Sequence, residues 1–395
     1  MTNVVLKDGV NWVGVIDWNI RDFHGYITSR GTTYNAYLIR DEKTVLIDIV
    51  KCNFAEELAL NIEELTSFDK IDYIIVNHVE MDHSGSLPEI AKLCKNAKII
   101  ACQRGKDAII AHYGPEFNRV EVVKTGDELK LGRHTLRFIE TPMLHWPDSM
   151  FTYVVEDKIL FSNDAFGEHF ASSERFDDEV DQQELWEECK VYYANILTPF
   201  APLITRKIQE VVQMGIPIEI IAPDHGVIWR KDPLKIIQAY LQWSAFTSKQ
   251  KVVVVFDTMW RSTDKMARAI EEGVASEGVD VKLLKLRATD NTEIVTEILD
   301  AKAVVVGSPT LNSGMFPTVS GFLTYITGLK PRGKLWAFFG SFGWGGGAVR
   351  GMVEVAKKAG FDVYEPGVEV KYVPDEDDLK KCFDFGQQIA RKIKV

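Results

Sequence analysis

The sequence is poor in cysteine, and its cysteines are scattered. They are Cys52, Cys94, Cys102, Cys189 and Cys382, and no two of them form a C-x-x-C pair. A rubredoxin-type iron site or a structural zinc site made of cysteines is therefore excluded. An odd, sparse set is typical of the reducing cytoplasm, where disulfides are rare, so we predict a cytoplasmic protein.

Long apolar runs and an excess of positive charge are also missing. No apolar stretch approaches the roughly 20 residues that a membrane span needs, and Met1 to Asp8 lack the basic and apolar regions of a signal peptide. The chain has 46 basic and 57 acidic residues, a net charge of −11. Phosphate binding favours the opposite sign. We therefore expect neither a membrane nor a nucleic acid as partner.

The length of the chain and a change in its pattern predict two domains. At 395 residues with 46% hydrophobic content, the chain is long enough for two ordinary globular cores. A plausible linker runs from Ser244 to Gln250, and βα alternation follows it. We predict domains at residues 1–248 and 251–395.

Four side chains that can bind metal crowd one stretch of the first half. A short apolar run, Ile71 to Val76, reads as a buried strand, and His78, Glu80, Asp82 and His83 follow it. Imidazole and carboxylate groups this dense suggest two metal ions rather than one. The plainer interpretation is a strand-to-helix loop with a capping residue, but a cap needs one such side chain, not four.

Three later strands end in the same way. Apolar segments lead to His145, to Asp164 and to His225. Polar groups at the ends of neighbouring strands collect on one side of an α/β layer. Each of these residues alone is more typical of a turn, but as a set they are the natural partners of the first four.

The second half alternates strands and helices, which predicts a doubly wound parallel sheet. Three loops at carboxyl ends of strands, 257–263, 308–312 and 340–347, are rich in hydroxyl groups, glycine and aromatic rings. The first loop opens a helix, whose N-terminus can hold a phosphate group. The sequence Gly-Lys-Ser/Thr is absent, which argues against an ATP-type loop. An α/β domain without a cofactor is the plainer alternative.

The first half resembles the metallo-β-lactamase superfamily, an αββα sandwich. Glu80 stands where the zinc enzymes of that superfamily have a histidine, and a carboxylate favours iron or manganese over zinc. This variant is similar to that of the flavodiiron proteins. The resemblance implies two non-haem iron ions, with Asp164 bridging them. The implied ligands are His78, Glu80, Asp82, His83, His145, Asp164 and His225.

The three loops of the second half resemble a flavodoxin-like FMN site. The residues expected to bind FMN are Thr258, Met259, Trp260, Arg261, Ser262, Thr263, Ser308, Pro309, Thr310, Leu311, Asn312, Ser341, Phe342, Gly343, Trp344, Gly345 and Gly346. Together, the two halves resemble a flavodiiron protein over essentially the full length. This resemblance implies reduction of O2 to water or of NO to N2O, with electrons relayed through FMN.

The resemblance also implies partners. It predicts a head-to-tail homodimer, or a dimer of dimers, and a separate rubredoxin as electron donor, with a reduced deazaflavin as the main alternative. Two rival functions stay open: a zinc-dependent hydrolase with a regulatory flavodoxin-like domain, and an electron carrier that uses only the second half. The choice between O2 and NO is not readable from the ligands.

A few further residues are candidates for the surroundings of the metal ions. His24 and Tyr26 lie on an N-terminal loop that approaches the pocket in this family. Tyr192 and Tyr193 are similar candidates for a hydrogen-bond donor, and Tyr193 is the one we assign to the site, with packing in the core as the plainer interpretation of both. The remaining histidines have no companion signal. We expect His112, His134 and His169 at the surface or the edge of the core.

Overall fold

The computed structural model describes residues 4–394, and the chain divides into two compact units. The first contains the residues up to Tyr192 together with Phe200–Leu241, and the second contains Tyr193–Pro199 and the residues from Gln242 onward. The division after Leu241 lies a few residues before the predicted linker. Among residues 4–394, no helix is long and apolar enough to cross a membrane.

The first unit contains two main sheets and two short hairpin-like pairs. Its strands are β1 (Val4–Lys7), β2 (Val10–Trp12), β3 (Val15–Asp17), β4 (Asp22–Phe23), β5 (Tyr26–Ile27), β6 (Thr32–Tyr34), β7 (Tyr37–Ile39), β8 (Thr44–Ile47), β9 (Ile71–Ile75), β10 (Lys98–Ala101), β11 (Glu121–Val122), β12 (Glu128–Lys130), β13 (Thr135–Glu140), β14 (Met150–Val154), β15 (Ile159–Phe161) and β16 (Ile220–Ala222). One sheet has the order β1-β2-β7-β8-β9-β10-β11 and the other β12-β13-β14-β15-β16, while β3 pairs with β6 and β4 with β5.

Helices cover these sheets, and apolar residues on alternating faces form two cores. The helices are α1 (Ala55–Glu63), α2 (Met81–Ser84), α3 (Leu87–Leu93), α4 (Gln103–Tyr113), α5 (Gln182–Tyr192), α6 (Ala201–Gln213) and α7 (Pro233–Ser244). Along β8, Val45 and Ile47 join the core between the two sheets, whereas Leu46 joins the core beneath α1, α3 and α4. Successive side chains of a strand point to opposite faces, so this strand serves both cores. The predicted αββα sandwich is confirmed.

The second unit is a six-stranded sheet flanked by helices. Its strands are β17 (Lys251–Phe256), β18 (Asp280–Lys285), β19 (Ala303–Leu311), β20 (Gly314–Met315), β21 (Leu335–Phe342) and β22 (Asp362–Lys371), and its helices are α8 (Ser262–Ser276), α9 (Asn291–Leu299), α10 (Pro317–Leu329), α11 (Ala348–Lys358) and α12 (Glu376–Lys394). The parallel strands have the order β18-β17-β19-β21-β22, and β20 pairs antiparallel with β19.

This order is that of a flavodoxin-like fold. Numbered along the chain, the parallel strands run 2-1-3-4-5, the second common order of doubly wound sheets. β17 is buried at every residue, as expected of a central parallel strand covered on both faces. The predicted doubly wound sheet is confirmed. Its carboxyl edge carries the first predicted loop, which follows β17. Strands β19 and β21 extend further than predicted, through Leu311 and Phe342, and so form the first part of the other two predicted loops.

Candidate dinuclear metal centre and cofactor pocket

The loop after β9 is held in place before it reaches its first ligand. The Asn77 backbone N–H and side-chain amide each donate to the Asp48 carboxylate at 2.7 Å, and Thr152 donates to the Asn77 side-chain oxygen at 2.7 Å. Gly85 closes the turn with an ordinary helical φ of −60°. A Cβ there would lie 2.3 Å from the Met81 carbonyl oxygen, so the position requires glycine for space rather than for a positive φ.

Four of the predicted ligands form a first group. Glu80 Oε2 and Asp164 Oδ2 each lie 3.3 Å from His78 Nε2, and His145 Nε2 lies 3.1 Å from Asp164 Oδ2. One ligand atom from each of the four residues can be chosen so that all lie within 4.8 Å of one another. Two imidazole and two carboxylate groups thus surround one point.

The other three predicted ligands form a second group beside it. His83 Nε2 lies 3.3 Å from Asp82 Oδ2, and His225 Nε2 lies 3.1 Å from the same oxygen. The second oxygen of Asp164, Oδ1, lies 3.0 Å from His83 Nε2 and 3.4 Å from His225 Nε2. Asp164 therefore presents one oxygen to each group, as a bridging carboxylate would.

Several polar atoms of the second group lie in close contact with one another but make no hydrogen bond in the described part of the chain. Both carboxylate oxygens of Asp82, both ring nitrogens of His83 and Asp164 Oδ1 are buried, and among residues 4–394 none has a partner in hydrogen-bond geometry. Buried polar atoms without partners are costly. Since Asp82 Oδ2, His83 Nε2 and Asp164 Oδ1 lie close together yet do not bond to one another, they suit a cation that all three would coordinate. The residues present therefore fit metal ions.

Charge in the cluster points to the same conclusion. Burial by itself would lower the pKa of His83, but the carboxylates of Asp82 and Asp164 raise it to about 10. Burial raises the pKa of Asp82, yet the His83 and His225 rings beside it bring the net value below the usual range. Without metal, protons on the imidazoles offset the carboxylates, and metal binding displaces such protons.

Neighbouring groups orient the ligand imidazoles. His78 Nδ1 lies 3.1 Å from Asp148 Oδ2, an oxygen that also accepts the Val79 backbone N–H at 2.8 Å. His225 donates from Nδ1 to the Thr33 carbonyl oxygen at 2.6 Å. Each of these contacts leaves Nε2 free to face the centre, which is how outer partners fix metal-bound histidines. Asp148 was not predicted, because it lies in a turn that carries no strand signal.

Two of the three predicted neighbours of the centre lie beside it. His24 Nε2 is 2.6 Å from Glu80 Oε1, the oxygen that does not face His78. Tyr26 donates its hydroxyl to His169 Nε2 at 2.6 Å. Tyr193 lies elsewhere: it belongs to the second unit, where its hydroxyl contacts Ser244 at 2.7 Å and its ring packs on Trp243.

Tyr192 has the neighbours that we expected for Tyr193. Its buried ring packs edge-on against His169, with centroids 5.1 Å apart, and against His225, with centroids 6.2 Å apart. Burial, reinforced by the negative charge of Asp164, raises the pKa of Tyr192 well above its usual range. Its phenol therefore stays protonated near the cluster.

His169 is a residue of the site that the sequence interpretation missed. It is buried, and its Nδ1 lies 2.8 Å from Thr32 Oγ1, which lies 3.2 Å from His225 Nδ1. Its ring packs edge-on against His225 with centroids 4.5 Å apart. The expected position at the surface or core edge is wrong for His169, and for His134, which is buried between Asp41 and Asp157. His112 is exposed.

His169→Leu should weaken binding of iron to the group that contains His225. Loss of an outer partner typically costs about 10- to 100-fold in metal affinity. An anaerobic titration with Fe²⁺ measures this effect. His169→Gln is the matched variant, because an amide can still accept from Tyr26 and donate to Thr32, and it should recover most of the affinity. Equal affinities for all three proteins would show that His169 does not position His225.

The three predicted loops of the second unit enclose a cavity of about 760 Å³. The predicted residues that line it are Met259, Trp260, Ser262, Pro309, Thr310, Leu311, Asn312, Ser341, Phe342, Gly343, Trp344 and Gly345. Ser313, Tyr372 and Val373 also line it and were not predicted. Trp260 and Trp344 are 90% and 95% exposed, so two flat aromatic rings at the cavity are accessible for stacking.

The other predicted residues lie behind or beside this wall. Thr258, Thr263 and Ser308 are buried, with Thr263 Oγ1 2.9 Å from Ser341 Oγ, and Arg261 and Gly346 are also absent from the lining. Thr258 Oγ1 is buried and has no hydrogen-bond partner among residues 4–394. It stands near the N-terminus of α8, where a phosphate is stabilised. An unpartnered hydroxyl there, beside an aromatic-lined cavity, fits FMN.

Comparison with known proteins identifies both halves. Residues 32–226 match the family model described as ODP family beta lactamase, and residues 254–386 match the flavodoxin model. A nitric oxide reductase from Moorella thermoacetica is 49% identical over 99% of this chain and 98% of its own length.

Solved structures agree over the full length. A rubredoxin oxygen:oxidoreductase from Desulfovibrio gigas aligns with a TM-score of 0.97 and 43% identity, covering 100% of this chain and 99% of the other. A flavodiiron protein from Giardia intestinalis aligns with a TM-score of 0.96 and 39% identity, covering 100% and 97%. The chain is thus an oxidoreductase that joins a β-lactamase-like domain to a flavodoxin domain. It belongs to the flavodiiron protein family.

Proposed function

We propose that this protein reduces NO to N2O, O2 to water, or both, at a diiron centre that receives its electrons through FMN. The observation that carries this proposal is Asp164, whose two oxygens face two adjacent ligand groups. A carboxylate that faces both groups would let two bound metal ions act on one substrate. Relatives named as a nitric oxide reductase and as a rubredoxin oxygen:oxidoreductase support the same chemistry.

Each metal ion would have three ligands of its own and share a fourth. His78, Glu80 and His145 would hold one ion, Asp82, His83 and His225 the other, and Asp164 both. When bound, two iron ions would supply paired electrons to the gas, and FMN would replace them. Three carboxylates offset much of the charge of two divalent cations, and carboxylate ligands favour iron over zinc.

His24 is the residue that we place as the proton donor to the centre. Its Nε2 lies 2.6 Å from Glu80 Oε1, while its side chain is 65% exposed. The hydrogen bond to Glu80 raises the pKa of His24. An imidazole that contacts both solvent and a ligand carboxylate can hold a proton at Nε2 and regain it from water. Tyr192 lies in the same region without titrating near neutral pH, because burial raises the pKa of its phenol.

The electron donor and the assembly are further parts of the proposal. A rubredoxin is the expected donor, in keeping with the name of the Desulfovibrio gigas relative, and a reduced deazaflavin is the alternative. Reduction of either gas by the purified protein with each donor, followed with NO and O2 electrodes, tests the function and ranks the substrates. The proposed assembly is a head-to-tail homodimer, in which the flavin of one copy serves the irons of the other. The mass of the protein in solution measures whether two chains associate.

Glu80→His should change which metal the first group prefers. A histidine in place of the carboxylate makes this group resemble a zinc site, so loading from an equimolar mixture of Fe²⁺ and Zn²⁺ should yield more zinc and less gas reduction. Glu63→His, on the exposed face of α1, is the control and should leave the metal ratio unchanged. Hydrolase activity of the zinc-loaded unmodified protein, without gas reduction by the iron-loaded form, would contradict the proposed function.

A further inference from the structure

A second cavity lies within the first unit, between α6, α7 and one face of the five-stranded sheet. Its volume is about 220 Å³. Ile208 and Val211 of α6, Ile237 of α7 and Phe151 of β14 contribute to its wall. Among the described residues that line the cavity, Lys207 is the one charged residue, and its amine donates a hydrogen bond to the Glu210 carboxylate. The wall therefore offers almost no polar partner to a guest.

The inner side of this cavity belongs to the loops that carry two ligands of the first metal group. Leu144 directly precedes His145, and Phe166 follows Asp164 by two residues. Both apolar side chains are buried and both line the cavity. The cavity and the His145–Asp164 pair therefore share the same two loops.

The backbone of one of these loops is fixed. The Phe166 N–H donates to the Tyr240 hydroxyl at 2.8 Å, and its carbonyl oxygen accepts from Trp229 Nε1 at 2.8 Å. The Phe166 ring packs against Tyr240 with centroids 4.8 Å apart. This side of the cavity is thus formed by a well-supported loop rather than by side chains at the surface.

The outer side reaches the surface through apolar residues. Val212 and Leu234 line the cavity and are 66% and 54% exposed. A small apolar molecule can therefore enter the cavity from solvent. Water gains little there, because a buried water needs two to four polar partners, and apolar cavities of about 150 Å³ stay dry and take up xenon.

We propose that this cavity binds uncharged diatomic gas and supplies it past Leu144 and Phe166 to the His145–Asp164 side of the metal centre. The inference rests on the proposed function, which makes such a gas the substrate. O2 and NO carry no charge and dissolve better in hydrocarbon than in water, so an apolar cavity concentrates them. Leu144 and Phe166 line the cavity and stand on the loops that carry His145 and Asp164, so we take the path of the gas to run past them.

Xenon is the probe for the binding step. Crystals of the iron- and FMN-loaded full chain, pressurised with xenon, should show a xenon atom between α6 and α7. Val211→Phe fills the cavity with a larger ring and should remove that xenon atom. Gln209→Phe, an exposed position on the same helix, is the matched control and should keep it. Absence of xenon from the unmodified protein would overturn the proposal.

Steady-state kinetics test the supply step. Val211→Phe should lower kcat/KM for the gas several-fold while kcat, iron content and FMN content stay unchanged, and Gln209→Phe should match the unmodified protein. If Val211→Phe loses iron, Ile237→Phe fills the cavity from the other helix and replaces it. An unchanged kcat/KM in a variant that has lost xenon binding would overturn the supply role. Xenon bound to an unmodified protein that reduces neither gas would instead contradict the proposed function.

Discussion

Asp164→Ala is expected to remove both iron ions from the chain and to abolish gas reduction, while FMN stays bound. Asp164 gives one oxygen to each ligand group, so its loss leaves each group one donor short. It also removes the carboxylate that offsets the mutual repulsion of two cations. Elemental analysis and the flavin absorbance of the same sample measure the two cofactors separately.

The control for this variant is an exposed carboxylate of the same unit. Asp69→Ala removes one negative charge at the surface, at the end of β9 opposite the ligand loop, and it should keep both irons and full activity. A folded Asp164→Ala protein that retains two irons and reduces gas at the normal rate would show that the bridging role is wrong. Loss of FMN together with iron would indicate general unfolding, which circular dichroism would reveal.

Thr258→Asp is expected to have the opposite result, with FMN lost and iron retained. The Thr258 hydroxyl is buried and unpartnered at the loop that precedes α8, where we place the phosphate. A carboxylate there would face the phosphate dianion, and like charges brought together cost several kcal/mol. The Kd for FMN should rise by about 100-fold or more, since each 1.4 kcal/mol is tenfold.

Thr258→Ser is the matched variant, because it keeps the hydroxyl and removes only a methyl group. Its affinity for FMN should stay within a few-fold of that of the unmodified protein, measured by fluorescence titration of the flavin-free chain. Equal affinities for the Asp and Ser variants would mean that the phosphate lies elsewhere. Thr258→Asp and Asp164→Ala together should show that each cofactor can be lost without the other.

The metal ligands could be predicted because both their position after a strand and their residue type point to metal binding. Each follows an apolar strand, in a loop or in the short helix α2, and each is a histidine, aspartate or glutamate where most connections need only a turn residue. The same logic located the flavin loops, since β17, β19 and β21 end at one edge of a parallel sheet. Tyr372, which follows β22, satisfies this rule as well, and a consistent application would have included it.

The residues around the ligands could not be predicted in the same way. His169 and Asp148 lie in irregular loops, and contacts between distant parts of the chain bring them to His225 and His78. The prediction of Tyr193 was wrong by one residue, since Tyr192 is the tyrosine that packs against His169 and His225. Helix α5 ends at Tyr192, and adjacent helical residues point about 100° apart, so only one of the two tyrosines can face the cluster.

The most direct test of the central claim is a single reoxidation experiment on protein of known iron and FMN content. We expect two irons and one FMN per chain, and rapid reoxidation of the flavin when NO or O2 is added to iron-loaded protein that has been reduced under anaerobic conditions. The same protein without iron should reoxidise far more slowly, because the electrons then have no metal centre to leave through. Zinc in place of iron, or equal rates with and without iron, would contradict the account.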